Sequence, residues 1–159
     1  MTAKRQSVVL CEGYHDRAFW SGWLEYLKCE SLWSQASRKV VDPWSQTVGE
    51  GHYAFRSPSE EFIRIVPCEG DLSKIRRKAR FYLENAKTKE IRRLVINWDP
   101  DTDAKADHSS PLDEVQAIGS LVQEFDPAAT RTPESDFALA IAGAPLSVSV
   151  VRWQVSDPA

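Results

Sequence analysis

The stretch Leu94-Val95-Ile96-Asn97-Trp98-Asp99-Pro100-Asp101-Thr102-Asp103 decides the fold. An apolar run enters a turn signal and then three acids at alternate positions. A short apolar run bounded in this way is the pattern of a central strand in a parallel sheet. Open parallel sheets place their ligands just beyond the carboxyl ends of such strands. Asp99 and Asp101 are therefore candidates for hard oxygen ligands to Mg²⁺ or Mn²⁺. The same run also reads as a polar loop whose aspartates cap turns. On these ten residues alone the two readings are equal, and a partner acid elsewhere in the chain is needed to separate them.

Upstream, Ser7 to Cys11 is a first strand, apolar on both faces and hence interior. Glu12-Gly13 ends it. A helix from about Tyr14 to Lys28 follows, with Phe19, Trp23 and Leu27 at intervals of four and Trp20 and Leu24 beside them, one apolar face. From Cys29 to Ser59 this pattern is lost in an irregular insertion, with short strands expected near Arg38–Val41 and His52–Phe55. Trp33 and Trp44 within it are read as anchors of a long loop in preference to stacking platforms for bases.

Phe62 to Val66 is a second strand, and Leu72 to about Lys87 an amphipathic helix. Its polar face carries Lys74, Arg76, Arg77, Lys78 and Arg80, a run that either tracks phosphates or is simply solvated. Arg93 to Trp98 is the third strand. Ser110-Pro111-Leu112-Asp113 has the N-cap, proline and acid of a helix start. Thr132-Pro133-Glu134 repeats that signal, and a helix through Phe137 and Ile141 is expected to stop at Gly143 and Pro145. Leu146 to Trp153 is a last strand. The fold class is α/β: a mostly parallel sheet of about four strands with helices on both faces, in a single domain over residues 1–159 with an insertion at about 29–59.

With 42% hydrophobic and 27% charged residues among 159, the chain has the composition of an ordinary globular protein. Its net charge of −3 argues against coating nucleic acid over the whole surface and leaves a local basic face open. No apolar segment approaches the ~20 residues that span a bilayer. Cys11, Cys29 and Cys68 are odd in number and unpaired by spacing, which suits reduced thiols in a cytoplasmic protein.

In a parallel sheet the carboxyl ends of different strands share one edge, so Glu12 and Asp99 are expected to meet there. Val8-Val9-Leu10-Cys11-Glu12-Gly13-Tyr14-His15-Asp16, followed by Leu94 to Asp101, resembles the toprim domain shared by type IA topoisomerases, bacterial primases and OLD-family nucleases. The resemblance rests on about a dozen residues: Glu-Gly closing one strand, Asp-x-Asp closing a later one, and Asp16 completing Glu-Gly-x-x-Asp. It implies Glu12 as general acid/base or metal ligand, Asp99 and Asp101 as the Mg²⁺ (or Mn²⁺) pair, and Asp103 as an outer acid. Gly13 and Asp16 are supporting residues, Gly13 allowing a sharp turn and close approach of substrate. The chain departs from the family in its long insertion, in the polar loop Thr102–Ser109, and in stopping directly after a strand, the pattern of a truncated chain.

A second Cys-Glu-Gly at Cys68-Glu69-Gly70 competes for the same edge; Glu12 is preferred, with Glu69 and Asp71 on the rim. His15 reads as polar surface rather than a proton carrier, and His52 and His108 have no ligand-like spacing. The expected activity is metal-dependent phosphoryl transfer on nucleic-acid phosphodiesters, as a stand-alone nuclease, with Lys74, Arg76, Arg77 and Arg80 holding the backbone. The alternatives are a non-catalytic toprim-fold module binding nucleic acid or a protein partner, and a small primase-like protein or nucleotide phosphohydrolase. A homodimer stays open, and no membrane association is expected.

Overall fold

A strand with apolar residues at successive positions is satisfied only between two layers, and β1 (Gln6–Cys11) is buried at all six of its positions. The structure is a computed structural model that describes residues 5–32, 43–44, 51–70, 72–98, 111–131 and 136–152; for Trp98, residues 111–114 and Arg152 it describes the backbone alone. After β1 come α1 (Tyr14–Tyr26), β2 (Glu30–Ser31), β3 (Tyr53–Arg56), β4 (Phe62–Pro67), α2 (Leu72–Glu84), β5 (Ile91–Trp98), α3 (Pro111–Phe125), β6 (Thr130–Arg131), β7 (Asp136–Ile141) and β8 (Ala144–Arg152).

All eight strands join one sheet in the order β2-β3-β4-β1-β5-β8-β7-β6. The central four, β4-β1-β5-β8, are parallel. The pairs outside them, β2·β3, β3·β4, β8·β7 and β7·β6, are antiparallel. The expected sheet of about four mostly parallel strands is thus corrected to a mixed sheet of eight, in which antiparallel pairs outnumber parallel ones. Two of the added strands, β2 and β6, are only two residues long, too short to leave a periodic signal. The strand expected at His52–Phe55 is β3, one residue further on. The one expected at Arg38–Val41 lies outside the described residues.

The expected helix through Phe137 and Ile141 is strand β7. Phe137 and Leu139 are buried while Ala138 and Ala140 are exposed, an alternation of period two that only a strand satisfies. Ala142 and Gly143 both take positive φ, 51° and 81°, and Ile141 pairs with Ala144 across them. That is a two-residue hairpin turn of the kind whose twist suits antiparallel strands. Gly143 and Pro145, the expected helix stop, belong to this turn and to the start of β8.

Helices cover both faces, as expected. α1 leads from β1 toward β4 on one face; α2 and α3 lead from β4 and β5 in the opposite direction on the other. Reversing both direction and face keeps one crossover hand throughout. The α2/α3 side holds the larger core, with Leu10, Ile75, Leu83, Leu94, Ile118 and Leu121 buried together. The α1 side is thinner: Val9, Cys11, Phe55, Ile63 and Ile65 from the strands meet Leu24, with Trp20 packed against them. Leu24 is the buried residue of α1, and Phe19, Trp23 and Leu27, which the spacing placed on its apolar face, are 47%, 47% and 46% exposed.

This orientation of α1 makes an expected contrast. Leu24→Ala lowers the unfolding free energy by about 2–4 kcal/mol, whereas Trp23→Ala, a larger truncation, changes it by less than about 1 kcal/mol. Urea denaturation of the two variants measures both; the reverse order would mean that α1 packs through the other stripe.

Candidate site at the carboxyl edge of the sheet

Register sets which residues converge at this edge. Cys11 lies opposite Pro67 on β4 and Asn97 on β5, so Glu12, Cys68 and Trp98 are each one step beyond the ladder. The Cys68 N–H donates to the Cys11 carbonyl at 2.7 Å, and the Gly70 N–H to the Glu12 carbonyl at 3.4 Å. These bonds bring the two Glu-Gly segments side by side. Glu12 and Glu69 are therefore neighbours at the edge rather than competitors for it.

Glu69 is held more elaborately than its place on a rim suggests. Its backbone is left-handed, φ 52°, a conformation that costs a non-glycine residue of order 1 kcal/mol. Its carboxylate accepts the Tyr14 hydroxyl, and its carbonyl accepts Lys74 Nζ at 2.9 Å. No spacing in the sequence connects Tyr14 with Glu69; the contact exists because β1 and β4 are neighbours and α1 starts where β1 stops.

The supporting residues act differently from expectation. Gly13 has φ −145°, extended backbone that any residue adopts, so no sharp turn demands a glycine there. What its missing side chain leaves is room, with nothing within 4 Å of where a Cβ would stand. Asp16 faces back along the chain: its Oδ2 accepts the Gly13 N–H at 3.2 Å, capping the first turn of α1. Arg17, one residue on, lies 4.7 Å from the Tyr14 ring and 4.2 Å from the Tyr53 ring. Its Nη1 donates to the Gly51 carbonyl at 2.7 Å, so it fastens the approach to β3 against α1.

On the α1 face, Asn97 is fully buried and its Oδ1 accepts Trp20 Nε1 at 2.6 Å. This bond ties the helix that follows Glu12 to the strand that precedes Asp99. Beneath the edge lie two thiols. Burial, and next the neighbouring Cys68, push Cys11 up to about 12. Burial pushes Cys68 up to about 11. Both are protonated at neutral pH, so neither is a thiolate nucleophile.

Asp99, Asp101 and Asp103 lie outside the described residues, as do His108, Trp33 and Asp71. Among the described residues no group of three or more His, Cys, Asp or Glu is arranged to hold a metal ion. The basic face of α2 is divided. Arg80 Nη1 bonds Glu124 Oε2 of α3 at 2.7 Å, Lys74 turns to the Glu69 carbonyl, and Arg76 and Arg77 are exposed. Trp44 behaves as an anchor, donating to Glu90 Oε2 at 3.2 Å and meeting the Phe62 ring edge-on. His15 is exposed surface. Among the described residues no helix is long and apolar enough to cross a membrane.

No family model and no curated protein matches this sequence. Among solved structures, the crystal structure of hypothetical protein PH0156 from Pyrococcus horikoshii OT3 is similar, with a TM-score of 0.62 and 16% identity over 97% of this chain. The match covers 59% of that chain, so this sequence spans less than two thirds of its neighbour's length. At such identity the likeness is one of fold.

His52, just before β3, is the titrating group with a sharp consequence. Burial, then the charges of Arg64, Lys78 and Lys89, push it down to about 4 from 6.5, and its Nδ1 is buried without a partner among the described residues. A histidine kept neutral in the folded state takes up its proton more readily when unfolded. Its contribution is thus complete above pH 6.5 and is lost as pH falls toward 4. Between those limits wild type is expected to lose about 2–3 kcal/mol more than His52→Gln, read as the difference between their denaturation curves at pH 7 and pH 4.5.

Proposed function

We propose that the chain hydrolyses nucleic-acid phosphodiesters at the carboxyl edge of β1, β4 and β5, as a toprim-like nuclease using Mg²⁺ or Mn²⁺. The observation that carries this reading is the parallel pairing of β1 with β5, Cys11 opposite Asn97, which makes Glu12 and the segment from Asp99 onward the continuations of adjacent strands. The donor chemistry fits: carboxylate oxygens suit a hard divalent ion, and the neighbouring thiols are buried and protonated. Glu12, Asp99 and Asp101 would hold the ion, with Asp103 outside them. When bound, such an ion neutralises phosphoryl charge and makes a coordinated water more acidic.

The remaining work falls to side chains. Glu12 takes the proton of the attacking water or delivers one to the leaving oxygen. The open space before Gly13 admits a phosphate to the backbone there. Tyr14 and Lys74 fix Glu69 beside Glu12, adding negative charge that favours a cation at this edge. Arg76 and Arg77 hold the sugar-phosphate backbone without reading bases.

Titration of Mn²⁺ into the wild-type chain is expected to give heat that disappears in Glu12→Gln/Asp99→Asn/Asp101→Asn at unchanged Tm. On labelled DNA and RNA, Glu12→Gln alone is expected to slow cleavage about 100-fold or more. A folded wild-type chain that binds no Mn²⁺ overturns the reading.

A further inference from the structure

α3 carries a stripe that the core does not use. Val115, Ile118, Leu121 and Val122 are buried in the larger core. Gln116, Ser120 and Gln123 recur at helical spacing along another line of the same helix and are exposed. This polar stripe forms one wall of a cleft of about 280 Å³ between α3 and the β6/β7 end of the sheet.

Register supplies the opposite wall. Arg131 on β6 is paired with Phe137 on β7, and residues paired across two strands project from the same face. Arg131 therefore rises on the α3 side, at the edge of the sheet. Phe137 is the floor, and Gly119 lets the helix backbone settle on its ring: a Cβ there would stand 3.1 and 3.2 Å from two ring carbons. Val115 and Ala129 complete the apolar part of the lining. Gln116, Ser120, Gln123 and Arg131 have no hydrogen-bond or ion-pair partner among the described residues. The acids near the end of α3 are engaged elsewhere. Glu124 Oε2 accepts Arg80 at 2.7 Å, and the Asp126 carboxylate accepts the Ala128 and Ala140 N–H groups, each at 2.9 Å. The cleft thus offers one cation, no carboxylate, and neutral side chains that both donate and accept.

We infer that this cleft binds a short peptide acid, two or three residues long with small apolar side chains, its terminal carboxylate on Arg131. One guanidinium matches one carboxylate, through two parallel hydrogen bonds. A phosphate dianion would meet neither a second cation nor a helix N-terminus, since α3 begins at Pro111 and enters the lining only from Val115 onward. A nucleobase would find no stacking platform, because the Phe137 ring lies under the helix and is 6% exposed. The glutamine amides complement a peptide's own N–H and C=O groups. From Gln116 to Gln123 the helix rises about 10 Å, the length of about three extended residues. Ligand clefts run from about 300 to 1,000 Å³, so the volume also suits a small molecule. The cleft shares no residue with the carboxyl edge, and the inference does not depend on the hydrolytic reading.

The test titrates N-acetyl-alanyl-valine, as the free acid and as its carboxamide, into the isotope-labelled full chain in EDTA, with amide chemical shifts as the readout. The acid is expected to give saturable shifts at Gln116, Ser120, Gln123 and Arg131, and the carboxamide to bind at least about tenfold more weakly. Arg131→Gln is expected to bring the acid down to the level of the carboxamide and to leave the carboxamide within about twofold of its wild-type affinity. Gln116→Leu/Gln123→Leu is expected to weaken both by at least about threefold. All three replaced side chains are exposed, so the variants are expected to keep the wild-type Tm. No saturable shift at the cleft, equal binding of acid and carboxamide, or wild-type affinity in Arg131→Gln overturns the inference. So does acetate that binds as tightly as the peptide acid, which would leave a simple anion site, or inorganic phosphate that binds more tightly. Peptide binding without Mn²⁺ uptake would sink the hydrolytic reading alone. Mn²⁺ uptake without peptide binding would sink the cleft alone.

Discussion

The structure depends on the burial of β1. Six residues shielded on every side require strands at both edges and cover on both faces, and β4, β5, α1 and the α2/α3 layer supply them. β1 lies in register with both neighbours, so the ends of three strands are fixed relative to one another. An edge assembled from Glu12, Glu69 and the end of β5 at Trp98 is therefore a consequence of core packing. Its residues are distant in the chain, and hydrophobic burial rather than local bonding sets their spacing. The single register irregularity in these pairings, between Gln6 and Ser7, falls at the opposite end of the strand and leaves the carboxyl edge undisturbed.

The two faces of the sheet are unequal. On one, α2 and α3 pack against each other and against the strands, and their apolar stripes point inward. On the other, α1 contributes Leu24 and part of Trp20, and its remaining aromatic residues face out. Several buried polar groups around β1 are paired with one another. Gln6 Nε2 donates to the Lys89 carbonyl at 3.1 Å, Arg64 Nε to Gln6 Oε1 at 3.2 Å, and Ser7 Oγ to Glu61 Oε1 at 2.6 Å. These bonds lie toward the amino end of β1. At that end the polar groups, the Glu61 carboxylate among them, are paired with one another, while Glu12 and Glu69 stand at the other.

What the sequence discloses follows from how far each signal reaches. Continuous apolar runs mark β1, β4 and β5, because a strand buried on both faces leaves no alternative pattern, and the periodicity of Leu72 to Leu83 marks α2 as plainly. The segment Phe137-Ala138-Leu139-Ala140 alternates as a strand does, but the start signal at Thr132-Pro133-Glu134 and the glycine at 143 point to a helix; that glycine serves the hairpin turn instead. The stripe of α1 illustrates a deeper limit. Periodicity shows that a helix has an apolar face and not which way that face turns; Leu24, with Trp20 beside it, faces the sheet and leaves Phe19, Trp23, Tyr26 and Leu27 outside. At the carboxyl edge, the position of Glu12 follows from its strand. The bond between Tyr14 and Glu69 is a contact of topology that no spacing announces, and the capping by Asp16 becomes visible only when its carboxylate is seen to face backward.

The floor under this edge is sulfur. Cys11 and Cys68 are joined through a backbone bond directly below Glu12 and Glu69, in the interior and in their protonated form, while Cys29 sits partly exposed at the far end of α1. A thiol reacts only when a thiolate meets reagent, so while the edge is closed these two are chemically silent. Each local opening that parts β1 from β4 beyond Pro67 would admit solvent to both at once. The chain thereby contains its own clock: the slow modification of Cys11 and Cys68, set against the faster modification of Cys29, counts how often the carboxyl edge comes apart.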